Sequence, residues 1–199
     1  DIQIYLNRRK PGTSKFTTPR KEDDQVEILS GVFEGKTTGT PISMVIYNQS
    51  QRSQDYSEIA SYYRPGHADY TYDCKYGFRD YTGGGRSSGR ETIGRVAAGA
   101  IAAKLLKEMK ITVDAYVKSI GPAKTPEEIE KYLETCMKEQ NSAGGIIECS
   151  IKGVPAGLGD PCFEKLSANL GKAILSIGAV KGFEIGDGFA VAESTGLTN

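Results

Sequence analysis

The chain has 199 residues, is 38% hydrophobic and 25% charged, and balances 25 Lys and Arg residues against 25 Asp and Glu residues. This composition is typical of a globular protein, and the absence of a basic surplus disfavours a non-specific polyanion binder. Four cysteines without a C-x-x-C pair disfavour a zinc site, and no metal is expected. With no signal peptide or long apolar run, we expect one reduced cytoplasmic domain over residues 1–199.

The N-terminal quarter is predicted to form one short helix and two strands. Ile2 and Leu6 are spaced to face a core from a helix that Pro11 ends. Apolar alternation over residues 26–32 and again over 42–46, with turn residues between, predicts two antiparallel strands. A basic loop between the helix and the first strand is either a solvated surface or part of a binding site, and its cations are Arg8, Arg9, Lys10, Lys15, Arg20 and Lys21.

A central helix is predicted over residues 89–110. Its apolar side chains recur at three- and four-residue steps, as in Ile93, Val96, Ala97, Ala100, Ile101 and Leu105. Gly94 and Gly99 make the buried face small, so we expect another element to pack closely against it.

The remaining periodicity predicts alternating strands and helices. Strands are expected over residues 111–121, 146–152 and 179–194. A capping box at Thr125 begins a helix to about residue 139, and a further helix is expected over 163–177. The fold class predicted from this order is α+β.

The chemistry is concentrated in residues 64–92, "RPGHADYTYDCKYGFRDYTGGGRSSGRET". Ser88 followed by Glu91 is a capping-box pattern at the start of the central helix, where free N–H groups and the helix dipole attract anions. Three glycines precede it and Arg86 and Arg90 flank it, so an oxyanion site is one interpretation. The alternative is a flexible turn with helix-capping serines. The glycine spacing fits neither a Rossmann nor a P-loop motif.

The chain's one histidine, His67, follows Pro65 and Gly66 and is therefore predicted to lie on a turn. Arg64 and Asp69 beside it could hold the imidazole cationic or fix its tautomer, which would suit a general acid acting on an anionic substrate. A purely structural histidine is the alternative.

The tyrosines of residues 69–81 alternate with polar residues. A half-buried strand explains this alternation. Aromatic rings beside Lys75 and Arg79 could also stack on bases, but the zero net charge disfavours nucleic-acid binding.

Residues 64–102, "RPGHADYTYDCKYGFRDYTGGGRSSGRETIGRVAAGAIA", closely resemble the signature region of chorismate synthases. The resemblance extends to "DIQIYLNRRKPGTSKFTTPRKEDDQVEILSGVFEGKTTGTPI", "QRSQDYS", "GVPAGLGDP" and "SIGAVKGFEIGDGF". It implies antiparallel sheets that sandwich central helices, incomplete in this chain. It also implies a homotetrameric lyase of the shikimate pathway of aromatic amino acid biosynthesis, which converts 5-enolpyruvylshikimate 3-phosphate to chorismate by 1,4-anti elimination of phosphate. The family requires reduced FMN, and NADPH could serve as the reductant.

The resemblance also implies roles for individual residues. His67 matches an active-site histidine that protonates or stabilises the reduced flavin. Substrate phosphate and carboxylates are assigned to Arg9, Arg64 and Arg90. Flavin contacts are assigned to Arg86, Ser87, Ser88, Gly178, Ala179 and Lys15. Lys15 stands where many members carry arginine, so it keeps the charge but lacks the bidentate fork.

Family members also have an N-terminal "GESHG" segment and a C-terminal stretch with a catalytic aspartate, neither of which occurs in these 199 residues. We therefore expect this chain alone to be inactive and the longer protein to be an enzyme. A phosphate- or flavin-binding module without catalysis and an RNA-binding domain are the competing functions.

Overall fold

A computed structural model describes residues 1–18, 22–49 and 58–198. The chain divides into two compact units, the first formed by Asp1–Arg52 and Ile93–Val154, the second by Ser53–Thr92 and Pro155–Asn199. Arg20, Lys21 and the "QRSQDYS" segment lie outside the described residues. The single domain expected over residues 1–199 stays a prediction.

Helix α1, Ile2–Arg9, is the short N-terminal helix expected from the sequence, and it ends before Pro11. Its Leu6 is fully buried against Ile93 and Ala97, which forms the core of the first unit. Partly buried apolar side chains surround this core: Ile2, Val26, Met44, Ile46 and Val96.

The two expected antiparallel strands are present. Strand β1 is Val26–Ser30, and it pairs with the fourth strand in chain order, β4, Ser43–Ile46. Between them the chain forms a small hairpin of β2, Val32–Phe33, and β3, Lys36–Thr37. Gly31 separates β1 from β2 with φ +83°, and a Cβ there would lie 2.7 Å from the Pro41 carbonyl oxygen. Only glycine fits this close approach without a backbone shift.

Helix α2, Asp69–Tyr76, replaces the strand predicted from the alternating tyrosines, so that prediction is wrong. The less exposed residues are Asp69, Tyr72 and Asp73, whose spacing is that of one helix face rather than of a strand. Gly77 ends the helix in the left-handed region with φ +78°, and its N–H donates to the Asp73 carbonyl.

Helix α3, Thr92–Glu108, confirms the predicted central helix, and a 3₁₀ turn over Gly89–Glu91 precedes it. Its buried residues recur at helical spacing: Ile93, Ala97 and Ala100. Gly94 and Gly99 lie on the exposed side, and a Cβ at either would meet nothing within 4 Å among the described residues. The close neighbour expected at these two glycines is therefore absent from the part of the chain that the structure describes.

A long two-stranded ribbon and one helix complete the first unit. Strand β5, Thr112–Ile120, pairs antiparallel with β6, Gly145–Lys152. Between them lies α4, Pro126–Lys138, with the predicted capping box in place. The Thr125 hydroxyl accepts from the Glu128 N–H at 3.3 Å, and Glu128 Oε2 accepts from the Thr125 N–H at 3.1 Å.

Helix α5, Leu166–Leu175, begins three residues later than predicted. Its buried residue is Gly171, which packs against the ring of Phe183, since a Cβ at Gly171 would lie 3.3 Å from that ring. The side chain of Ile174 on this helix is exposed. Close packing at a glycine, rather than an aliphatic stripe, thus fixes this helix.

The strand predicted over residues 179–194 is wrong, because turns and a 3₁₀ segment, Gly188–Glu193, occupy this stretch. Gly186 and Gly188 have φ of +61° and +55°, which an extended strand does not accommodate. The strand pairs that the structure describes are all antiparallel and occur with helices, which agrees with the α+β class. No helix within the described ranges is long and apolar enough to cross a membrane.

Candidate functional site

The Asp69 carboxylate, at the start of α2, is the centre of a charged cluster in the second unit. Its side chain is 2% exposed. Arg64 donates two parallel hydrogen bonds to this carboxylate, from Nε to Oδ2 at 2.8 Å and from Nη2 to Oδ1 at 2.9 Å. The Arg64 backbone N–H also donates to Oδ2 at 3.1 Å. This bidentate geometry is the arrangement that gives arginine–carboxylate pairs their specificity.

His67 lies on the predicted turn, whose closing hydrogen bond runs from the His67 N–H to the Arg64 carbonyl at 3.2 Å. Gly66 has φ +71° and makes this turn possible. The turn brings His67 Nδ1 to 3.0 Å from Asp69 Oδ1 and 3.3 Å from Arg64 Nη2. Arg64, His67 and Asp69, which are close in sequence, are therefore brought together in space.

Arg79, which was expected only to lie beside aromatic rings that could stack on bases, is a member of this cluster. Its side chain is 6% exposed, and its Nη1 lies 3.1 Å from Asp69 Oδ2. Its Nη2 donates to the carbonyls of Ile59 and Tyr62 at 2.6 and 2.8 Å. The sequence signal that could have identified Arg79 is the pair of carboxylates at Asp69 and Asp73. Carboxylates four residues apart lie on one face of a helix and can share a guanidinium.

These cations determine the charge state of Asp69. The hydrogen bonds from the Arg64 guanidinium lower the pKa of Asp69 well below its usual range, although burial alone would raise it. The Arg64 backbone N–H and the positive charges nearby act in the same direction as the guanidinium. Asp69 is therefore a carboxylate, and an acceptor only, at neutral pH.

The glycine run forms a tight loop in the second unit. The Gly84 N–H donates to the Asp80 carbonyl at 2.9 Å, and Gly84 and Gly85 have φ of +84° and +49°. The Ser87 hydroxyl donates back to the Gly84 carbonyl at 2.5 Å. A Cβ on Gly84 would lie 3.2 Å from this hydroxyl, so the loop leaves little room for a side chain.

Ser88 caps the turn that leads into α3, as expected, but with a different partner. Its hydroxyl accepts from the Arg90 N–H at 3.3 Å, not from the Glu91 N–H. Glu91 Oε1 instead lies 3.4 Å from the guanidinium of Arg86, whose side chain is 85% exposed. Arg86 thus presents a solvent-accessible cation beside the glycine loop, as an anion site requires.

Gly178 and Ala179 lie in a turn after α5, which the Val180 N–H closes onto the Ile177 carbonyl at 3.3 Å. Ala179 has φ +69°, a conformation that residues with a Cβ rarely adopt. A Cβ on Gly178 would meet nothing within 4 Å among the described residues. The space beside this glycine is therefore not filled by a described side chain.

The two remaining predicted residues lie in the first unit and face carboxylates there. Arg9 Nη1 lies 3.2 Å from Oδ2 of the buried Asp24. Lys15 Nζ lies 2.5 Å from Glu130 and 2.7 Å from Glu134, both on α4. Hydrogen bonds to these two glutamates raise the pKa of Lys15. In the described residues, no group of three or more potential ligands could hold a metal ion.

The comparisons agree with the local motifs. The family model described as chorismate synthase matches residues 1–199. The chain belongs to the chorismate synthase family. The resemblance seen in the motifs is therefore confirmed over the whole chain, including the Arg64–His67–Asp69 turn and the glycine loop.

Curated chorismate synthases are similar along their shared length. That of Agathobacter rectalis is 65% identical over 221 residues, covering 100% of this chain and 60% of the relative. That of Cytophaga hutchinsonii is 51% identical over 219 residues, covering 98% of this chain and 61% of the relative. The chain thus spans about three fifths of the length of these chorismate synthases.

A solved structure titled "Crystal Structure of Chorismate Synthase" superposes with a TM-score of 0.76 at 29% identity. The match covers 98% of this chain and 63% of that one. This neighbour confirms the predicted fold class, with helices and small antiparallel sheets that form part of the longer chorismate synthase fold.

Proposed function

We propose that the protein to which this chain belongs is a chorismate synthase, a lyase that forms chorismate and phosphate from 5-enolpyruvylshikimate 3-phosphate. The observation that carries the proposal is the family match over residues 1–199, supported by relatives up to 65% identical. The reaction is a 1,4-anti elimination, in which a carbon–hydrogen bond and a carbon–oxygen bond break. The hydrogen leaves as a proton and the oxygen leaves as phosphate, and the electron pair of the broken carbon–hydrogen bond becomes part of the new diene. It involves no net oxidation or reduction.

His67 is the proposed acid of the site. It lies on a turn rather than in a core, and its Nδ1 faces the Asp69 carboxylate at 3.0 Å. An imidazole oriented by a carboxylate can donate or accept a proton during a reaction, which suits stabilisation of negative charge during the elimination. Within the second unit, this is the arrangement that best supports acid–base chemistry.

Substrate phosphate and carboxylates are proposed to bind Arg9, Arg64 and Arg90. The substrate is anionic, and arginine binds phosphate and carboxylate through parallel hydrogen bonds. Arg64 uses its Nε and Nη2 edge to hold Asp69, so any substrate contact must come from the rest of its guanidinium. This requirement makes the orientation of Arg64 depend on Asp69.

Reduced FMN is the proposed cofactor, bound by Arg86, Ser87, Ser88, Gly178, Ala179 and Lys15. The exposed Arg86 cation suits a phosphate, and the glycine loop allows close backbone approach. Lys15 fits less well, because Glu130 and Glu134 already neutralise its charge. When bound, the reduced flavin supplies electron density as phosphate leaves.

The proposal is tested with the full-length protein under anaerobic conditions, with photoreduced FMN and the phosphorylated substrate. We expect chorismate and phosphate to form in equal amounts, and His67→Gln to slow turnover by about 10²-fold or more. The 199-residue chain alone is expected to show no turnover. Binding of FMN and substrate by the full-length protein without any turnover would instead support a non-catalytic binding module.

Steep salt-dependent binding of single-stranded RNA would support the other competing function. The homotetramer, the cytoplasmic location and the use of NADPH as reductant stay predictions. Sedimentation of the full-length protein tests the first of these. Replacing photoreduction with NADPH in the same assay tests the last.

A further inference from the structure

One ring nitrogen of His67, Nδ1, has two close charged partners among the described residues. Nδ1 lies 3.0 Å from Asp69 Oδ1 and 3.3 Å from Arg64 Nη2. A neutral imidazole carries one proton, and the partner of one nitrogen decides which nitrogen holds it. The contacts at Nδ1 therefore determine what Nε2 can do.

The chemistry of these two partners decides the tautomer. Asp69 is ionised and can only accept a hydrogen bond, so favourable contact with it requires a proton on Nδ1. Arg64 Nη2 can only donate, and it uses one of its two hydrogens for Asp69 Oδ1 at 2.9 Å. Its distance from Nδ1, 3.3 Å, is longer than the 3.0 Å between Nδ1 and Asp69 Oδ1. The shorter contact, between groups of complementary character, favours Nδ1–H.

The Asp69 carboxylate is held in place from both of its oxygens. Oδ1 contacts Arg64 and His67, whereas Oδ2 contacts the Arg64 Nε, the Arg64 backbone N–H and Arg79 Nη1. Arg79 is in turn fixed by backbone carbonyls through its Nη2. A carboxylate fixed at both oxygens presents Oδ1 to His67 in one orientation, which is what a group that orients a histidine needs.

We propose that Asp69 is a positioning residue that holds the Nδ1 proton of His67 in both charge states. As an acid, the His67 imidazolium then donates its proton from Nε2, and the neutral imidazole left behind is the Nδ1–H tautomer. This proposal rests on the proposed function for the role of His67 in catalysis. The tautomer itself can be measured without turnover, so the two proposals can fail separately.

The first test is nitrogen-15 NMR of the full-length protein labelled at histidine, with the His67 signals assigned by their loss in His67→Gln. We expect shifts typical of the Nδ1–H tautomer in the parent protein. In Asp69→Asn, the amide can present its NH₂ group to Nδ1, and we expect a shift toward the Nε2–H tautomer. A parent protein with Nε2–H, or identical His67 signals in Asp69→Asn, would overturn the proposal.

The second test is kinetic and uses a matched control on the same helix. We expect Asp69→Asn to lower kcat by about 10²-fold or more, in addition to any rise in KM that follows from a less firmly held Arg64. Asp73→Asn also removes a carboxylate beside Arg79, whose Nε lies 3.5 Å from Asp73 Oδ2, but no contact joins Asp73 to His67 in the described residues. We expect that variant to retain kcat within about threefold. Equal losses of kcat in the two variants would overturn the proposal.

A double-mutant cycle separates positioning from a structural role. If Asp69 acts through His67, adding Asp69→Asn to His67→Gln should lower kcat by less than about threefold further. Any loss of thermal stability from Asp69→Asn should persist in the double variant. A full additional loss of kcat there would show that Asp69 acts by another route. If the parent protein shows no turnover, the proposed function fails and the NMR result alone decides the tautomer.

Discussion

Replacing Arg79 with alanine is expected to lower the free energy of unfolding by about 3–6 kcal/mol, because it removes a buried guanidinium together with its charged hydrogen bonds. Its side chain is only 6% exposed, and it contacts Asp69 at 3.1 Å and Asp73 at 3.5 Å. Nη2 lies within hydrogen-bonding distance of three carbonyls but carries two hydrogens, so it makes two full bonds at a time. Hydrogen bonds of charged groups contribute about 1.5–3 kcal/mol each, which gives a total of the same size.

The assay is urea unfolding of the full-length protein, followed by fluorescence and circular dichroism. Arg86→Ala is the matched control in the same unit, because the Arg86 side chain is 85% exposed. We expect this control to change the free energy of unfolding by less than about 0.5 kcal/mol. A loss below about 1 kcal/mol for Arg79→Ala, or equal losses for the two variants, would refute the assignment of Arg79 as a buried anchor of the Asp69 cluster.

Three further predictions concern stability. Leu6→Ala should cost about 2–5 kcal/mol of unfolding free energy because Leu6 is fully buried, whereas Leu197→Ala, at a side chain that is 99% exposed, should change it by less than about 0.5 kcal/mol in the same titration. Thr125→Ala should cost about 1 kcal/mol through loss of the capping box, and Thr135→Ala in the last turn of α4 should cost less; equal losses in thermal unfolding would contradict this. Folding lowers the pKa of Asp69, so its ionisation stabilises the folded protein. This stabilisation is fully present above the ordinary pKa of 3.8, and it is lost as the pH falls from 3.8 toward the lower pKa of the folded protein. Urea unfolding at a series of acidic pH values should therefore show a shallower loss of stability in Asp69→Asn than in the parent, and parallel curves would contradict the prediction.

Local signals in the sequence predicted the elements whose stabilising contacts are themselves local. The α4 helix begins at Thr125 because two hydrogen bonds within four residues fix its start. His67 lies on a turn because Gly66 readily adopts positive φ, and the turn closes over four residues. Such contacts depend on sequence neighbours only, so spacing rules identify them.

The wrong predictions concern segments whose structure depends on contacts outside the segment itself. The tyrosines of residues 69–81 alternate like a strand, but α2 is held by Arg79 and by a turn that reaches back to Arg64. The periodicity of residues 179–194 predicted a strand, but no strand pairs with this segment among the described residues. Alternation alone does not say whether a partner strand exists.

The amino-acid sequence alone was enough to predict the family, the α+β class, the turn that carries His67 and the glycine loop beside Arg86. These follow from residue identity and short-range backbone chemistry. Tertiary packing was needed to show that Arg79 also contacts Asp69, beside Arg64 and His67. Burial removes water as the competing partner of the Arg79 guanidinium, so the carboxylate that it meets depends on packing rather than on spacing along the chain.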